Sequence, residues 1–431
     1  MFSLSSALGD LHQRLADTFP DTPGFTLFDV PFPLNNAFDP LTWLTAQRVF
    51  PQFYWQQRSG DDEAAALGAL RTFTSLAEAQ QQLQGYPDDV RVWGLNAFEP
   101  SESALFLPRL EWRREGGKAM LRLYLYSATS LRDDAQCAAD FLNALSPATP
   151  LAMSPAGCVE QHHFPTREGW ETLISQALET LQRGELDKVV LARATDYRFD
   201  APINAGALMA ASRRLNLHCF HFLYRFNDQT AFLGSTPERL WRRRGVALRT
   251  EALAGTVANH DDDAQAQQHA AWLMSDDKNQ RENMLVVEDI CQRLQQQTGA
   301  LDVLPPQVVR LRKVQHLRRC IWSDLRVADD ALCLDLLQPT AAVAGLPRPE
   351  ARRFIARHEP FAREWYAGSA GYLSRKQSEF CVTLRSAKVS GETVRLYAGA
   401  GIVPGSDPEQ EWQEIDNKAA GLRSLLLQTH P

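Results

Sequence analysis

From residue 188 onward, short apolar runs with the two-residue period of β-strands follow one another through brief turns. They are "KVVLARATDYRF" (188–199), "HCFHFLYRF" and "TAFLGSTPERL" broken by Asn227 and Asp228, then runs near 307–316 and at 365–373, 379–389 and 393–398. Helical spacing interrupts them irregularly. Trp170, Ile174, Leu178 and Leu181 keep it up to Gly184, a long region holds it from about 261 to 298, a shorter one near 349–358, and a last one closes the chain. There is no strand–helix–strand rhythm, and no GxGxxG opens a helix. Strands joined by short turns pair antiparallel, so the pattern predicts an α+β fold of large antiparallel β-sheets with helices packed outside, not a doubly wound one. Before residue 150, strand-like "GFTLFDVPF", "RVWGLNAF" and "MLRLYLYS" mix with helical stretches, and "SPATPLAMSPAG" (146–157) reads as a loop. We therefore expect an N-terminal part, 1–150, integrated with a region 151–431 that carries the chemistry.

A chain of 431 residues, 44% hydrophobic, can bury a sizeable core. With 45 Lys and Arg against 52 Asp and Glu, it offers no basic footprint for nucleic acid and little attraction for anionic lipid. An anionic small molecule would need local cations. The seven cysteines are scattered and never form a CxxC pair, which points to reduced thiols. The first residues lack a basic, then apolar, leader, and no 18-residue apolar stretch occurs. A soluble, cytoplasmic protein is expected, with no nucleic-acid or membrane partner.

Several stretches carry groups that could do chemistry. In "GAGIVPGSDPEQEWQEIDNK" (399–418), Gly399 and Gly401 suit a turn where backbone approaches something closely, and Ser406 or Asp407 before Pro408 starts a helix. Glu411, Glu414 and Lys418 then fall at i, i+3 and i+7 on one face. That face is either a solvated, dipole-matched surface or a convergence of two carboxylates and an ammonium. Lys188, opening an apolar strand face with Val190 and Ala192, is either a snorkelling end residue or a buried general base. Glu238, after Pro237, either pairs with Arg239 or a neighbour, or is a protonated general acid in a dry pocket. Lys278 and Glu282 stand at i, i+4, ordinarily a surface pair. In "EFCVTLRSAKV", Glu379, Cys381, Thr383 and Arg385 share a strand face, a polar stripe whose arginine suits a carboxylate.

Together these stretches resemble a family. "KVVLAR", "FLGSTPERL", "EALAGT", the acid of "KNQREN", "VQHL", "LQPTAAVAGLPR", "WYAGSAGYL", "EFCVTLRSA" and "GAGIVPGSDPEQEWQE" stand in the order seen in the chorismate-utilising enzymes: anthranilate, aminodeoxychorismate, isochorismate and salicylate synthases. More loosely similar stretches extend the resemblance over nearly the whole chain. Gln338, Ala341 and Asn283 depart from the usual residues at their positions. The resemblance implies an anthranilate synthase component I-like fold with region 151–431 binding chorismate. It implies Mg²⁺ held by Glu282 and Glu414, with Glu411 beside them directly or through water. Arg385, Tyr366 and Lys418, with Thr256, His316 and backbone N–H groups near Gly255, Gly399 and Gly401, would bind substrate. Amine-transferring members usually lack the lysine at position 188, and aminodeoxychorismate synthases place a lysine where Ala254 stands. The implied reaction is isochorismate synthesis, with Lys188 activating water for attack at ring C2 and Glu238 protonating the departing C4 hydroxyl, and no glutaminase subunit is required. The size and divergent N-terminal third are more similar to menaquinone-pathway members. The alternatives are a salicylate synthase, a siderophore-pathway isochorismate synthase or a non-catalytic chorismate-binding subunit, against which the intact Lys188 and Glu238 argue.

Overall fold

The computed structural model describes residues 4–34, 38–153 and 156–427; positions 154 and 155 of the expected 146–157 loop lie outside them. Every strand pairing is antiparallel, and helices cover the sheet, as the α+β expectation required. The sheet has two limbs that diverge from the long strand Ser103–Glu115. One continues through Asp62–Phe73, Gln52–Gln56, Phe220–Arg225, Thr230–Thr236, Ser386–Ser390 and Thr393–Ile402 to Lys188–Phe199. The other runs through Val92–Asn96, Ser369–Leu373, Gln377–Val382, Arg239–Arg244 and Ala247–Ala258 to Val314–Asp324. Strands from before residue 150 thus lie inside the same ladders as those after it.

Alternate residues of the strands feed two cores. The first joins Phe53, Trp55, Trp93, Leu191, Phe222, Trp241 and Phe380 from both limbs with side chains of helices such as Arg167–Gln182 and Asp277–Leu294. The second packs Tyr54, Leu67, Leu123, Leu233 and Leu396 under helices Leu4–Leu15, Leu131–Asn143, Ala205–Leu215 and Pro408–Leu426.

The expected 188–199 strand is found end for end, and elsewhere the differences have local causes. The region 261–298 is two helices, Asp263–Ser275 and Asp277–Leu294, because Asp276 is extended and its side chain caps the second by accepting from the Asn279 N–H. The run 379–389 splits into Gln377–Val382 and Ser386–Ser390 at Arg385, whose φ is +48°. The 365–373 strand begins only at Ser369, since Glu364 and Ala367 turn the chain at φ +51° and +60°. Gly399 and Gly401 do not lie on a turn. They sit within strand Thr393–Ile402, opposite Ala192 and Val190.

Strand Lys188–Phe199 has a gap on its other edge. Gly345–Leu346 pairs with Val189 and Lys188, and Cys158–Phe164 with residues from Ala194 onward. Between them a buried ion pair completes the ladder: Glu359 Oε1 accepts from the Ala192 N–H at 2.8 Å, and Arg363 donates to Val190 O and Val343 O, both at 2.8 Å. Glu359 and Arg363 are 2.6 Å apart, with almost no exposed surface. Arg363→Met would strand the Glu359 charge, so it is expected to cost about 3–5 kcal/mol, read from the urea midpoint.

Candidate active site

Lys188 is 1% exposed, so it does not snorkel. Its side chain crosses Gly401, where a Cβ would come within 2.9 Å of Lys188 Cε and 3.2 Å of Glu282 Oε1. A glycine at 401 therefore makes room for two side chains to meet. Lys188 Nζ donates to Glu282 Oε1 at 2.9 Å. Glu282 thus turns to Lys188, from which 94 residues separate it, and not to Lys278. Burial alone would lift the Glu282 carboxyl, but the Lys188 ammonium, by charge and hydrogen bond, holds it below the ordinary carboxylate range.

Glu238 is 2% exposed and lines a cavity that it shares with Glu282, Arg385, Glu414 and Lys418. It does not pair with Arg239, whose side chain goes to Glu379 at 2.8 Å. Burial, then the charge of Glu251, pushes the Glu238 carboxyl up to about 8 against the pull of Lys188, Lys418 and Arg385. At neutral pH it is mostly a protonated acid. Gly255, at φ +88°, forms a bulge in strand Ala247–Ala258 between Leu253 and Thr256, and a Cβ there would meet Asn279 at 3.2 Å. Asn279 Oδ1 accepts from the Thr256 N–H at 3.1 Å, which seats this bulge against the helix that carries Glu282. Asn283, on the same helix, donates to Ala252 O, Ala254 O and Leu317 O.

Arg385 enters the cavity from a left-handed turn and not from a polar strand stripe; Glu379 is spent on Arg239, and Cys381 is buried. Its Nη2 lies 2.6 Å from His316 Nε2. Guanidinium can only donate, so Nε2 is bare and Nδ1 carries the proton, which it gives to Thr256 Oγ1 at 3.0 Å. Burial, with the nearby Arg385 and Lys418, pushes the His316 pKa well down, in keeping with a neutral ring. Both ring nitrogens of His316 are therefore engaged by protein, while the Thr256 hydroxyl keeps its proton to donate into the cavity it lines. Among the described residues no carboxylate forms an ion pair with Arg385. Tyr366 stacks on Tyr397 at 5.1 Å, and its hydroxyl lies where a Cβ on Gly399 would stand, 2.8 Å away.

Asp407 caps the last helix and Pro408 opens it. Of its acids, Glu414 faces the cavity and pairs with Lys418 at 2.6 Å, and Lys418 also donates to Gly399 O at 2.9 Å. Glu411 lies behind, outside the cavity lining; burial and the charge of Glu414 push it up to about 7. Among the described residues no three metal-binding side chains are already gathered round one point. The donors still fit Mg²⁺, which takes few protein carboxylates alongside water and substrate oxygens: Glu282 and Glu414 open onto one cavity, and Glu411 and Glu414 repel each other.

Eleven of the thirteen residues expected at the site line this cavity, and Lys188 adjoins it through Glu282 and Gly401. Sequence reasoning missed Tyr397, although 397, 399 and 401 alternate on one strand face. It also missed Glu251, Glu359 and Arg363, which lack any local signal.

A cavity lined by a carboxyl that burial keeps protonated, by the Lys418 ammonium and by an unpaired guanidinium offers an acid and cations to a small anion. Residues 95–427 match the family described as chorismate binding enzyme, and the chain belongs to that family. It is 66% identical to the isochorismate synthase MenF of Escherichia coli K12 over 428 residues, 99% of each chain. The solved structure of that E. coli protein, described as the menaquinone-specific isochorismate synthase, superposes with a TM-score of 0.97 over 99% of this chain and 100% of that one. MenF of Haemophilus influenzae is 38% identical over 99% of this chain and 98% of its own. The isochorismate synthase EntC of E. coli K12 is 33% identical over 62% of this chain and 69% of its own.

Proposed function

We propose that this protein is an isochorismate synthase of menaquinone biosynthesis, converting chorismate reversibly to isochorismate. The observation that carries the reaction is the buried, protonated Glu238 sharing a cavity with the cation-rich wall next to Lys188. Similarity to MenF over the whole chain, against partial coverage by EntC, supports the pathway. Lys188 takes a proton from water as its oxygen bonds to ring C2. The ring double bonds shift, the C4–O bond breaks, and Glu238 gives its proton to that hydroxyl, which leaves as water. One water enters and one departs, so the reaction is an isomerisation. Arg385, Tyr366 and Lys418, with Thr256 and the backbone near Gly255, Gly399 and Gly401, hold the substrate's anionic groups. No glutaminase subunit is needed, because the nucleophile is water.

Mg²⁺, held by Glu282 and Glu414 with Glu411 directly or through water, would supply positive charge for the ring carboxylate. Glu282 pairs here with the Lys188 ammonium, so a cation held at Glu282 would compete with Lys188 for this carboxylate. Glu282→Ala and Glu414→Ala should each abolish Mg²⁺-dependent turnover while keeping the fold; Mg²⁺ titration calorimetry, circular dichroism and rates after EDTA treatment check this. Full activity of Glu414→Ala without magnesium would overturn the assignment. We also read residues 1–150 as part of the catalytic fold, supported by the pairing of Gln52–Gln56 with Phe220–Arg225 and of Val92–Asn96 with Ser369–Leu373. Cytoplasmic residence is supported by seven free cysteines; among the described residues no helix is long and apolar enough to cross a membrane. Chromatography of the products from chorismate and Mg²⁺ is the decisive test: isochorismate alone is expected, salicylate with pyruvate would make it a salicylate synthase, and no product a binding subunit.

A further inference from the structure

Glu251 is a fully buried carboxylate that the reaction above does not use. It sits on strand Ala247–Ala258 and takes both guanidinium ends of Arg58, Nη1 to Oε1 at 2.6 Å and Nη2 to Oε2 at 2.8 Å. The same two residues grip the chain on either side of Glu238. Arg58 Nη1 donates to Pro237 O at 2.7 Å, and the Arg239 N–H donates to Glu251 Oε1 at 2.8 Å. Pro237 O belongs to the peptide before Glu238, and the Arg239 N–H to the peptide after it. With the Val382 N–H on Glu238 O at 3.0 Å, the backbone at this residue has little freedom left. Arg58 also lies over the Phe220 ring, 5.3 Å from its centroid, which fixes the guanidinium plane. It comes from the turn between strands Gln52–Gln56 and Asp62–Phe73, outside the residues 95–427 that match the family.

We propose that Arg58 and Glu251 are positioning residues for the acid: by clamping the two peptides that flank Glu238 they set where its carboxyl stands in the cavity, so the N-terminal part of the chain helps build the catalytic centre. This rests on the acid role given to Glu238 above. Glu251 has a second consequence. The charged groups that act most on Glu238 are Glu251 from strand Ala247–Ala258, Lys188 from strand Lys188–Phe199, Lys418 from the last helix and Arg385 from the turn after Gln377–Val382, while Glu282 and Glu414 share its cavity. Glu251 is the one of those four that opposes ionisation; the three cations favour it. The pair thus bears on the position of the acid, and Glu251 adds to the effect of burial on its protonation.

The test begins with the unmodified protein, whose conversion of chorismate is measured against pH. If it makes no isochorismate, the proposed function falls, and this proposal with it. If it does, Glu251→Gln and Arg58→Lys are compared with it. Glutamine keeps the acceptor for the Arg239 N–H and the volume but removes the charge. The alkaline limb of kcat/KM should then move to lower pH by about half a unit or more. Lysine keeps the charge of Arg58 but not its fork, so kcat should fall about tenfold or more while KM changes by less than about threefold. An unmoved limb together with unchanged kcat in Arg58→Lys overturns the proposal. Loss of folding in both variants, seen by circular dichroism, assigns the pair to stability alone and overturns it equally; if only one folds, that one decides.

Discussion

Lys188→Ala is expected to lower chorismate turnover by about 10²–10⁴-fold, and Glu238→Gln by a similar factor, the range that a positioned general base or acid contributes. Alanine removes the amine to which the proton of the attacking water is assigned, and leaves Glu282 as the side chain beside Gly401. Glutamine keeps the shape of Glu238 but cannot give a proton to the C4 hydroxyl. Because the isomerisation is reversible, the two groups exchange roles in the direction from isochorismate to chorismate, so each variant should suppress both directions while still binding chorismate. They act as a unit, and the double variant should be little worse than either single one. The pH dependence follows from Glu238 being pushed up to about 8. The forward direction needs the protonated form, which is complete well below that value and lost as pH rises through it. The forward kcat/KM should therefore fall on an alkaline limb near pH 8, and Glu238→Gln should remove that limb along with most of the activity. Near-normal turnover by Lys188→Ala, or a 2-amino product made from ammonia as readily as isochorismate from water, would reopen an anthranilate synthase-type reaction.

The parts of this site that could be read from the sequence are those with a local pattern. The 188–199 strand appears in full because alternation of Val189 and Leu191 with Lys188 and Val190 is a property of neighbours. Asp407 before Pro408 is equally local. Gly399 and Gly401 were misread as a turn because glycine is scarce in strands; the reason for them is the space needed by Tyr366, Lys188 and Glu282, which reach them from far along the chain. The break of the 379–389 run at Arg385 carries no glycine or asparagine to announce its φ of +48°. Arg58 and Glu251 are 193 residues apart, and Ala192 and Glu359 are 167 apart. Pairings of that range leave no periodic trace, and only the ordered motifs of the family resemblance pointed to the place where they meet.

That same unannounced turn leads to the second large effect, at Arg385. A half-buried cation with no carboxylate paired to it is costly, and desolvation lowers the Arg385 pKa accordingly. Among the described residues its one side-chain hydrogen bond goes to His316, a neutral acceptor whose other nitrogen is fixed on Thr256. His316 therefore orients the guanidinium without neutralising it, and the left-handed backbone at 385 adds strain to the arrangement. A charge held this way is poised for an anion that arrives with the substrate, where a two-ended, charge-assisted contact can form. Arg385→Ala should lose roughly 2–4 kcal/mol of transition-state stabilisation, about 30- to 900-fold in kcat/KM. Arg385→Lys should recover only part of it, because an ammonium cannot donate to His316 and to both oxygens of a carboxylate in one plane. If the site holds the substrate equally in ground and transition states, the loss will fall on KM; if the contact tightens as negative charge redistributes over the ring system, kcat will fall as well. Steady-state kinetics on both variants, with circular dichroism as the folding control, separate these outcomes. Wild-type-like kinetics in Arg385→Lys would remove Arg385 from the substrate site and leave its unpaired charge and strained turn without a function.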